Sequence, residues 1–410
     1  MRWAGKCALC GSWNTLKQMA VEEQVLPSEE AKSIKLSDVS IDDKKRISTG
    51  IEEFDMVLGG GIVPGSVLLL GGHPGIGKST LVWQAACNIK GTVAYVAAEE
   101  SPEQIKLRAS RLGHKYQNVL IYDNQDIAHL KGSIKKEKPS LLVVDSIQTV
   151  FDSRINGSPG SLLQVKNAAL EFIGLAKKYS IPTILIGHVT KEGEVAGPKT
   201  LEHLVDAVFY LDGQGMSSER FLRSAKNRFG PTDELGVFRL TQDGLVGAAD
   251  FGRLAPQDFL PDGVIRTGVC EGSRVYFLEV QGLVQKAVHG FPRRNAVGFD
   301  LNRLQMIIAV LSRHTKANLN DYDVFVNVAD GYRLKDPIAD LAVLFALAGS
   351  FYQKTLPGNN ILIGEIDLAG RIHLPESSKK IIKTAKKIGY NIPSLHKLLL
   401  REAIQKSFKI

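Results

Sequence analysis

The chain has 410 residues, of which 44% are hydrophobic, so it is long enough for two folded domains. Its four cysteines and the lack of an apolar secretory stretch in residues 1–6 favour a cytoplasmic protein. The longest wholly apolar segment, residues 341–349, is far shorter than the roughly 18 residues of a membrane span, so we expect no membrane partner. The net charge of +8 indicates a polyanion such as nucleic acid, unless the excess lysines only solvate the surface.

The chain opens with a C-x-x-C pair, Cys7 and Cys10, and then becomes charged. Residues 21–45 carry no glycine and mix polar with apolar side chains, a pattern typical of a linker. We place this linker at residues 21–48 and expect the first large domain to begin at Thr49.

A phosphate-binding pattern, G-x-x-x-x-G-K-[ST], stands between a predicted strand at 67–70 and a predicted helix at 80–86, the setting that this motif requires. Its glycines let backbone N–H groups point at a phosphate, and the helix N-terminus adds partial positive charge. We expect Lys78 to reach the β- and γ-phosphates of ATP or GTP, and Ser79 to bind Mg²⁺. The predicted binding residues are Gly72, His73, Pro74, Gly75, Ile76, Gly77, Lys78, Ser79 and Thr80.

Further strands and helices alternate along the first domain. The strand-like segments are 93–97, 119–122, 141–144 and 183–187, and the clearest helical pattern is at 162–179. This alternation predicts a mostly parallel sheet covered by helices on both faces. Ligands bind such sheets at the carboxyl ends of the strands.

Polar residues follow three of these strands. Asp145 ends an apolar strand and is expected to hold the Mg²⁺ shell, directly or through water. Glu99, with Glu100 as the alternative, is predicted to polarise the attacking water, unless both only cap the next helix before Pro102. His188 is either structural or a sensor of the γ-phosphate.

Two cations near the end of the first domain are spaced to share one face of a strand. Lys226 and Arg228 are two residues apart, and Gly230 with Pro231 should end the strand. Such cations could reach a γ-phosphate bound by a neighbouring subunit, as an arginine finger does. The alternative is an exposed sheet edge protected by charge.

From about residue 257 the pattern indicates a second α/β domain. It contains strand-like segments at 275–280, 324–328 and 360–366 and helical patterns at 303–312 and 339–350. A lysine-rich helix follows, and four of its lysines recur at helical spacing: Lys379, Lys383, Lys386 and Lys387.

Residues 226–230 read K-N-R-F-G, and with this signature the chain resembles the bacterial RadA (Sms) family of RecA-like DNA-repair ATPases. The resemblance covers almost the entire chain. It implies a RecA-like P-loop ATPase core over 49–256, followed at 257–410 by an α/β domain similar to the Lon protease (S5-type) fold. The other segments that carry it are 3–15, 72–80, 99–101, 141–148, 187–193, 278–281, 293–294 and 298–304.

The resemblance also implies a function. Members are ring-forming, hexameric, DNA-stimulated ATP hydrolases that use ATP and Mg²⁺. They bind single-stranded and branched DNA and promote branch migration of recombination intermediates together with the RecA recombinase. The implied catalytic residues are Lys78, Glu99, Asp145, Lys226 and Arg228. The implied DNA-coupling residues are His188, Lys191, Lys226, Asn227, Arg228, Phe229 and Gly230, with channel loops at 151–160 and 191–201.

The first departure from the family concerns zinc. Residues 1–20 resemble the second half of the family's N-terminal zinc finger, but a four-thiolate site needs two C-x-x-C pairs. The chain supplies only Cys7 and Cys10 there. We therefore expect a remnant that binds Zn²⁺ only if a second pair lies upstream of Met1.

The second departure concerns proteolysis. Lon-type peptidases use a serine–lysine dyad, and the segment that resembles the serine loop has Ile338 where the nucleophile is expected. Lys379 or Lys380 near the lysine position would then lack a hydroxyl partner. Two alternatives to a DNA motor are still retained: an ATP-dependent peptidase, and an ATP-binding regulator of RecA fold without motor activity.

Overall fold

The computed structural model describes residue 35, residue 37, and residues 46–113, 115–188, 198–213, 217–288 and 291–410. The chain divides into two units, Met1–Lys44 and Lys45–Ile410, and every element below belongs to the second. Cys7, Cys10 and Lys191 lie outside the described residues. No helix within the described ranges is long and apolar enough to span a membrane.

The first part of the larger unit is built on a nine-stranded sheet with the order β3-β2-β4-β5-β1-β6-β7-β8-β9. The first six strands of that order pair in parallel and the last three add antiparallel. The elements are α1 (Glu52–Leu58), β1 (Val67–Gly72), α2 (Lys78–Asn88), β2 (Val93–Ala97), α3 (Pro102–Leu112), β3 (Val119–Tyr122), α4 (Ile127–Glu137), β4 (Leu141–Asp145), α5 (Leu162–Tyr179), β5 (Thr183–His188), β6 (Ala207–Asp212), β7 (Glu219–Asn227), β8 (Leu235–Thr241) and β9 (Gly244–Gly247).

The central strands are apolar on both faces because helices cover both. Every residue of β1, β2 and β4 is buried. One face packs against α1, α2 and α3 through side chains such as Phe54, Trp83 and Ile105. The other packs against α4 and α5 through Ile127 and Phe172. This two-sided burial is why these strands read as continuous apolar runs in the sequence.

The second part carries a four-stranded sheet of order β10-β11-β13-β12, with the apolar helix α7 packed on it. Its elements are β10 (Val264–Glu271), β11 (Arg274–Lys286), β12 (Arg294–Val297), α6 (Leu301–His314), β13 (Tyr322–Val328), α7 (Asp340–Tyr352), β14 (Glu365–Ile366), β15 (Ile372–His373), α8 (Ser378–Lys387) and α9 (Leu400–Phe408). Short 3-10 turns occur at Pro198–Thr200, Ala329–Gly331, Pro337–Ala339 and Leu395–Lys397.

Two predicted strands differ from the observed ones. Of the predicted strand at 360–366, only Glu365–Ile366 forms a ladder, because residues 360 and 361 make isolated bridges to two different segments, Asn360 to Asn391 and Ile361 to Arg266. β7 ends at Asn227, so Arg228 lies just beyond the strand and not on one face with Lys226.

The turn between β10 and β11 joins the two parts. The guanidinium of Arg274 lies 2.6 Å from the carboxylate of Glu53 on α1, and Arg223 of β7 lies 2.9 Å from Glu271. The backbone N–H of Ser273 donates to Glu234 at 2.9 Å. The turn therefore attaches the second sheet to α1 and to the antiparallel extension of the first.

Candidate nucleotide site

The phosphate-binding loop connects β1 to α2 at the carboxyl end of the parallel strands. Gly77 is the N-cap of α2, and no described side chain caps the helix there, so its first N–H groups are available to an anion. Gly75 and Gly77 have φ values of 74° and 112°, a region that strongly favours glycine. A Cβ on Gly72 would lie 2.5 Å from the carbonyl oxygen of Leu211. The backbone here fits a phosphate and requires its glycines.

Lys78 is buried beside this loop, with 3% of the residue exposed. Its Nζ donates to the carbonyl oxygens of Gly72 and His73, both at 2.9 Å, and lies 3.1 Å from Nδ1 of His188. Burial lowers the pKa of Lys78 to about 8, although the negative charges of Asp145 and Glu99 oppose this shift. A bound phosphate would replace neutral acceptors with an anion and stabilise the ammonium form.

His188 connects Lys78 to Glu99. Its Nδ1 faces the Lys78 ammonium and its Nε2 lies 3.1 Å from Oε1 of Glu99. An ammonium can only donate, so Nδ1 accepts and Nε2–H donates to the carboxylate. Ser146, the residue after β4, also donates to Glu99. The hydrogen bonds from His188 and Ser146 lower the pKa of Glu99 against the opposing effect of burial.

The residues expected to hold Mg²⁺ lie together. Ser79 and Asp145 line a cavity of about 30 Å³ with Glu99 and Glu100, and the Tyr95 hydroxyl donates to Asp145 at 2.6 Å. Within the described residues no group of three or more histidines, cysteines or acids is arranged to hold a metal. One hydroxyl and one carboxylate nevertheless fit Mg²⁺, which completes its shell with water and phosphate oxygens.

Glu99 and Glu100 have different partners, which separates their roles. Glu100 forms an ion pair with Arg108 of α3 at 2.8 Å, whereas Glu99 faces His188 and Ser146. The N-cap of α3 is Ser101, whose side chain accepts from the backbone of Gln104. Neither glutamate is the cap, contrary to the alternative considered from the sequence.

Lys226 and Arg228 lie away from the phosphate loop of their own chain. Residue 226 pairs with Val208 of β6 near the start of β1, so the K-N-R-F-G segment occupies the amino end of the parallel strands. Lys226 donates to the carbonyls of Glu202 and Val205, each at 2.8 Å. Arg228 has 55% of its side chain exposed and lies 3.4 Å from Asp206. Of the two cations, Arg228 is the one that faces outward.

The first of the two predicted DNA loops is folded around one side chain. The amide of Gln164 on α5 bonds to the backbone of Asp152, Ile155 and Gly157. The hydrogen bond from Arg154 helps lower the pKa of Asp152 to about 2. Most of the second loop, residues 191–197, lies outside the described residues.

The segment that resembles a peptidase serine loop contains no exposed nucleophile at the expected position. Ile338 is fully buried and its N–H donates to Asp336 at 3.0 Å. Lys380 donates to the carbonyl of Gly272 at 2.7 Å, and Lys379 to Glu376 at 3.0 Å.

Sequence reasoning missed three side chains around the site. Tyr95 donates to Asp145, and Ser146 donates to Glu99. Arg220 of β7 donates to the carbonyl of Ile76 in the phosphate loop at 3.2 Å. Ser146 could have been found, because it directly follows Asp145. Arg220 is 144 residues from Ile76, and no motif in the sequence around Arg220 indicates this contact.

The chain is similar to several known proteins. A family model described as an AAA domain matches residues 30–194. The DNA repair protein RadA of Escherichia coli is 40% identical over 405 residues, 95% of this chain and 88% of the relative. RadA of Brucella abortus is 39% identical over 409 residues (95% and 87%), and RadA of Campylobacter jejuni is 41% identical over 396 residues (94% and 88%).

A crystal structure of the RadB recombinase aligns with 49% of this chain and 99% of its own, at 28% identity and a TM-score of 0.40. The predicted RecA-like P-loop ATPase fold is confirmed for the first sheet and its helices. The similarity to the E. coli, B. abortus and C. jejuni proteins extends over both sheets, and the chain belongs to the RadA family.

Proposed function

We propose that this chain is a DNA-stimulated ATPase of recombinational DNA repair. It would bind single-stranded and branched DNA and promote branch migration together with the RecA recombinase. The observation that carries the proposal is the chain of hydrogen bonds from Lys78 through His188 to Glu99. It links the lysine expected to bind phosphate to the carboxylate expected to orient water. The names of the relatives support the repair role.

In this proposal the catalytic base or water-orienting group is Glu99. Hydrogen bonds from His188 and Ser146 lower its pKa, so it is a carboxylate at neutral pH and can accept a proton or hydrogen bond from water. Lys78 and the loop N–H groups hold the phosphates. Mg²⁺, held through Ser79 and Asp145, would neutralise charge on the β- and γ-phosphates.

We propose that His188 reports whether the site holds a phosphate. Binding of a phosphate by Lys78 would compete with the bond from Lys78 to Nδ1 of His188, whose other nitrogen faces Glu99. The backbone carbonyl of His188 also accepts from Gln148, at 3.3 Å. The two proposed DNA loops follow Asp145 and His188 in the chain. A change in the hydrogen bonds of His188 could therefore shift both loops, one directly and the other through Gln148.

We propose that Arg228 completes the site of a neighbouring subunit in a hexameric ring. It is exposed and lies at the amino end of the parallel strands, opposite the loop of its own chain, a placement that suits an arginine finger acting between subunits. Lys226, bound to two carbonyls, would hold the segment.

The second domain is proposed to have a Lon-protease-like fold without peptidase activity, and to serve assembly and DNA binding. The burial of Ile338 argues against the peptidase alternative. Five exposed lysines of α8 supply positive charge for phosphates: Lys379, Lys380, Lys383, Lys386 and Lys387. Zn²⁺ would be bound by Cys7 and Cys10 only with further ligands.

The test is ATP turnover with and without single-stranded DNA. We expect stimulation by DNA in the wild type and none in Lys78→Ala, while the fold of that variant is retained. A rate unchanged by DNA, together with a neutral Lys226→Ala, would favour the regulator alternative. Covalent labelling by a serine-directed acylating probe would instead support a peptidase.

A further inference from the structure

The segment that presents Arg228 is held by an arginine from the start of the compact unit. Arg46 donates from Nη2 to the carbonyl oxygen of Phe229. From Nη1 it donates to the carbonyl oxygens of Leu58 and Gly61, at 3.2 and 3.3 Å. One guanidinium therefore joins the K-N-R-F-G segment to the turn between α1 and β1, which is far from it in sequence.

The backbones in this contact are close enough to exclude side chains. A Cβ on Gly59 would lie 3.1 Å from the Cα of Gly230, and a Cβ on Gly61 would lie 2.7 Å from the carbonyl oxygen of Ile47. Ile47 also forms a two-way bridge with Ile62, with both hydrogen bonds at 2.8 Å. The glycine-rich turn is thus the base on which the segment rests.

Apart from the bonds from Arg46, the segment is tied at Arg228, whose backbone N–H donates to the carbonyl oxygen of Asp206 at 3.2 Å. β7 has ended at Asn227, and the Asn227 side chain accepts from the N–H of Phe229 at 3.0 Å. Among the described residues, the Arg228 side chain contacts only the buried Asp206, at 3.4 Å. Loss of the bonds from Arg46 would leave few hydrogen bonds to the backbone on the C-terminal side of Arg228. The guanidinium of Arg228 would then sample many positions.

We infer that Arg46 is a positioning residue for Arg228, and that it acts on the active site of the neighbouring subunit without touching substrate. The inference rests on the proposed function, because it takes Arg228 to act between subunits. Small displacements of a catalytic group cost up to about 100-fold in rate. We therefore expect Arg46→Ala to lower kcat by roughly 10- to 100-fold, with the affinity for a fluorescent ATP analogue unchanged.

Two further variants distinguish a role of Arg46 in positioning Arg228 from a role in folding. Arg46→Lys can reach some of the three carbonyls and should recover part of kcat. Arg371→Ala removes a surface arginine of the second domain that pairs only locally, with Asp367, and should leave kcat unaltered. Thermal unfolding of each variant reports whether the fold is kept.

Subunit mixing tests the direction of action. Arg46→Ala keeps its own nucleotide site, whereas Lys78→Ala loses that site but still presents Arg228. A reassembled 1:1 mixture should regain about a quarter of the wild-type rate per subunit, since half of the subunits have a working site and half of those have a competent neighbour. Neither variant alone should reach this rate.

The control mixture is Arg228→Ala with Lys78→Ala. If it regains activity and the Arg46→Ala mixture does not, the inference about Arg46 is wrong and the proposed function stands. If neither mixture regains activity, Arg228 does not act between subunits and that part of the proposed function fails. Loss of nucleotide affinity in Arg46→Ala would also overturn the inference, because the defect would then lie in its own site.

Discussion

At the scale of single residues, the site is organised by one histidine with two partners. His188 accepts from Lys78 and donates to Glu99, so a change at the phosphate site reaches the carboxylate through two hydrogen bonds. Glu100, the residue after Glu99, forms an ion pair with Arg108 instead. Adjacent acids in the sequence therefore face different partners, and they should respond differently to the same substitution.

Replacement of Glu99 by glutamine should lower kcat by about 10²- to 10⁴-fold, because the amide keeps the shape but neither accepts a proton nor carries the charge. Nucleotide binding should persist, since Lys78 keeps its contacts with the loop. Glu100→Gln is the matched control and should cost much less. A larger loss of steady-state turnover in Glu100→Gln than in Glu99→Gln would reverse the assignment.

The lowered pKa of Lys78 predicts a pH dependence of nucleotide binding. The ammonium form, which attracts phosphate, predominates below the free-state pKa of about 8 and is lost as the pH rises through it. Above pH 8 the affinity for ADP should therefore fall by about ten-fold per pH unit. Isothermal titration between pH 7 and pH 9.5 measures this, and Lys78→Ala should show a flat profile. A flat wild-type profile would mean that Lys78 stays charged throughout.

At the scale of elements, the β10–β11 turn determines how the second sheet is attached to the first. Its residues reach α1, β7 and the segment before β8 through charged contacts. These contacts join elements that are far apart in the chain, with Glu53 and Arg274 separated by 221 residues. Sequence patterns predict such elements well but carry no information on which charges meet.

Removal of Arg274, one of the charged residues that attach the second sheet, should lower the free energy of unfolding. Glu53 has 3% of its side chain exposed, so Arg274→Ala leaves a buried carboxylate whose one remaining partner among the described residues is the N–H of Val237. We expect a loss of about 3 kcal/mol in the free energy of unfolding, measured by urea denaturation. Adding Glu53→Gln should return part of it.

The comparison is Arg239→Ala, which breaks the ion pairs of a half-exposed arginine with Asp250 and Glu219 and should cost about 1 kcal/mol. Equal losses for Arg239→Ala and Arg274→Ala would show that the β10–β11 turn does not depend on its buried charge.

At the scale of the whole molecule, the sequence predicts the sheets better than their junctions. The phosphate loop, Asp145 and the parallel strands could be located because each depends on local pattern: strand, turn and helix in order. The contacts of Arg46 with Phe229, of Arg220 with Ile76 and of His188 with Glu99 could not, because they span 183, 144 and 89 residues. The end of β7 was misplaced by two residues, since alternation alone does not reveal where pairing with β6 stops.

The position of Arg228 predicts that activity depends on assembly. Arg228 follows β7 at the amino end of the parallel strands, opposite the phosphate loop. In an isolated subunit it therefore cannot reach the nucleotide bound to the same chain. ATP turnover per subunit should therefore rise with protein concentration and reach a plateau where the oligomer is complete. Dilution below the dissociation range should lower kcat towards the rate of Arg228→Ala, about 10³-fold below the plateau.

Sedimentation velocity at the same concentrations gives the fraction assembled, and the two curves should coincide. In Arg228→Ala the rate per subunit should be low and independent of concentration, although the protein still assembles. A wild-type rate per subunit that stays constant while the oligomer dissociates would place every catalytic group within one chain. The exposed Arg228 would then be a surface charge without a catalytic role.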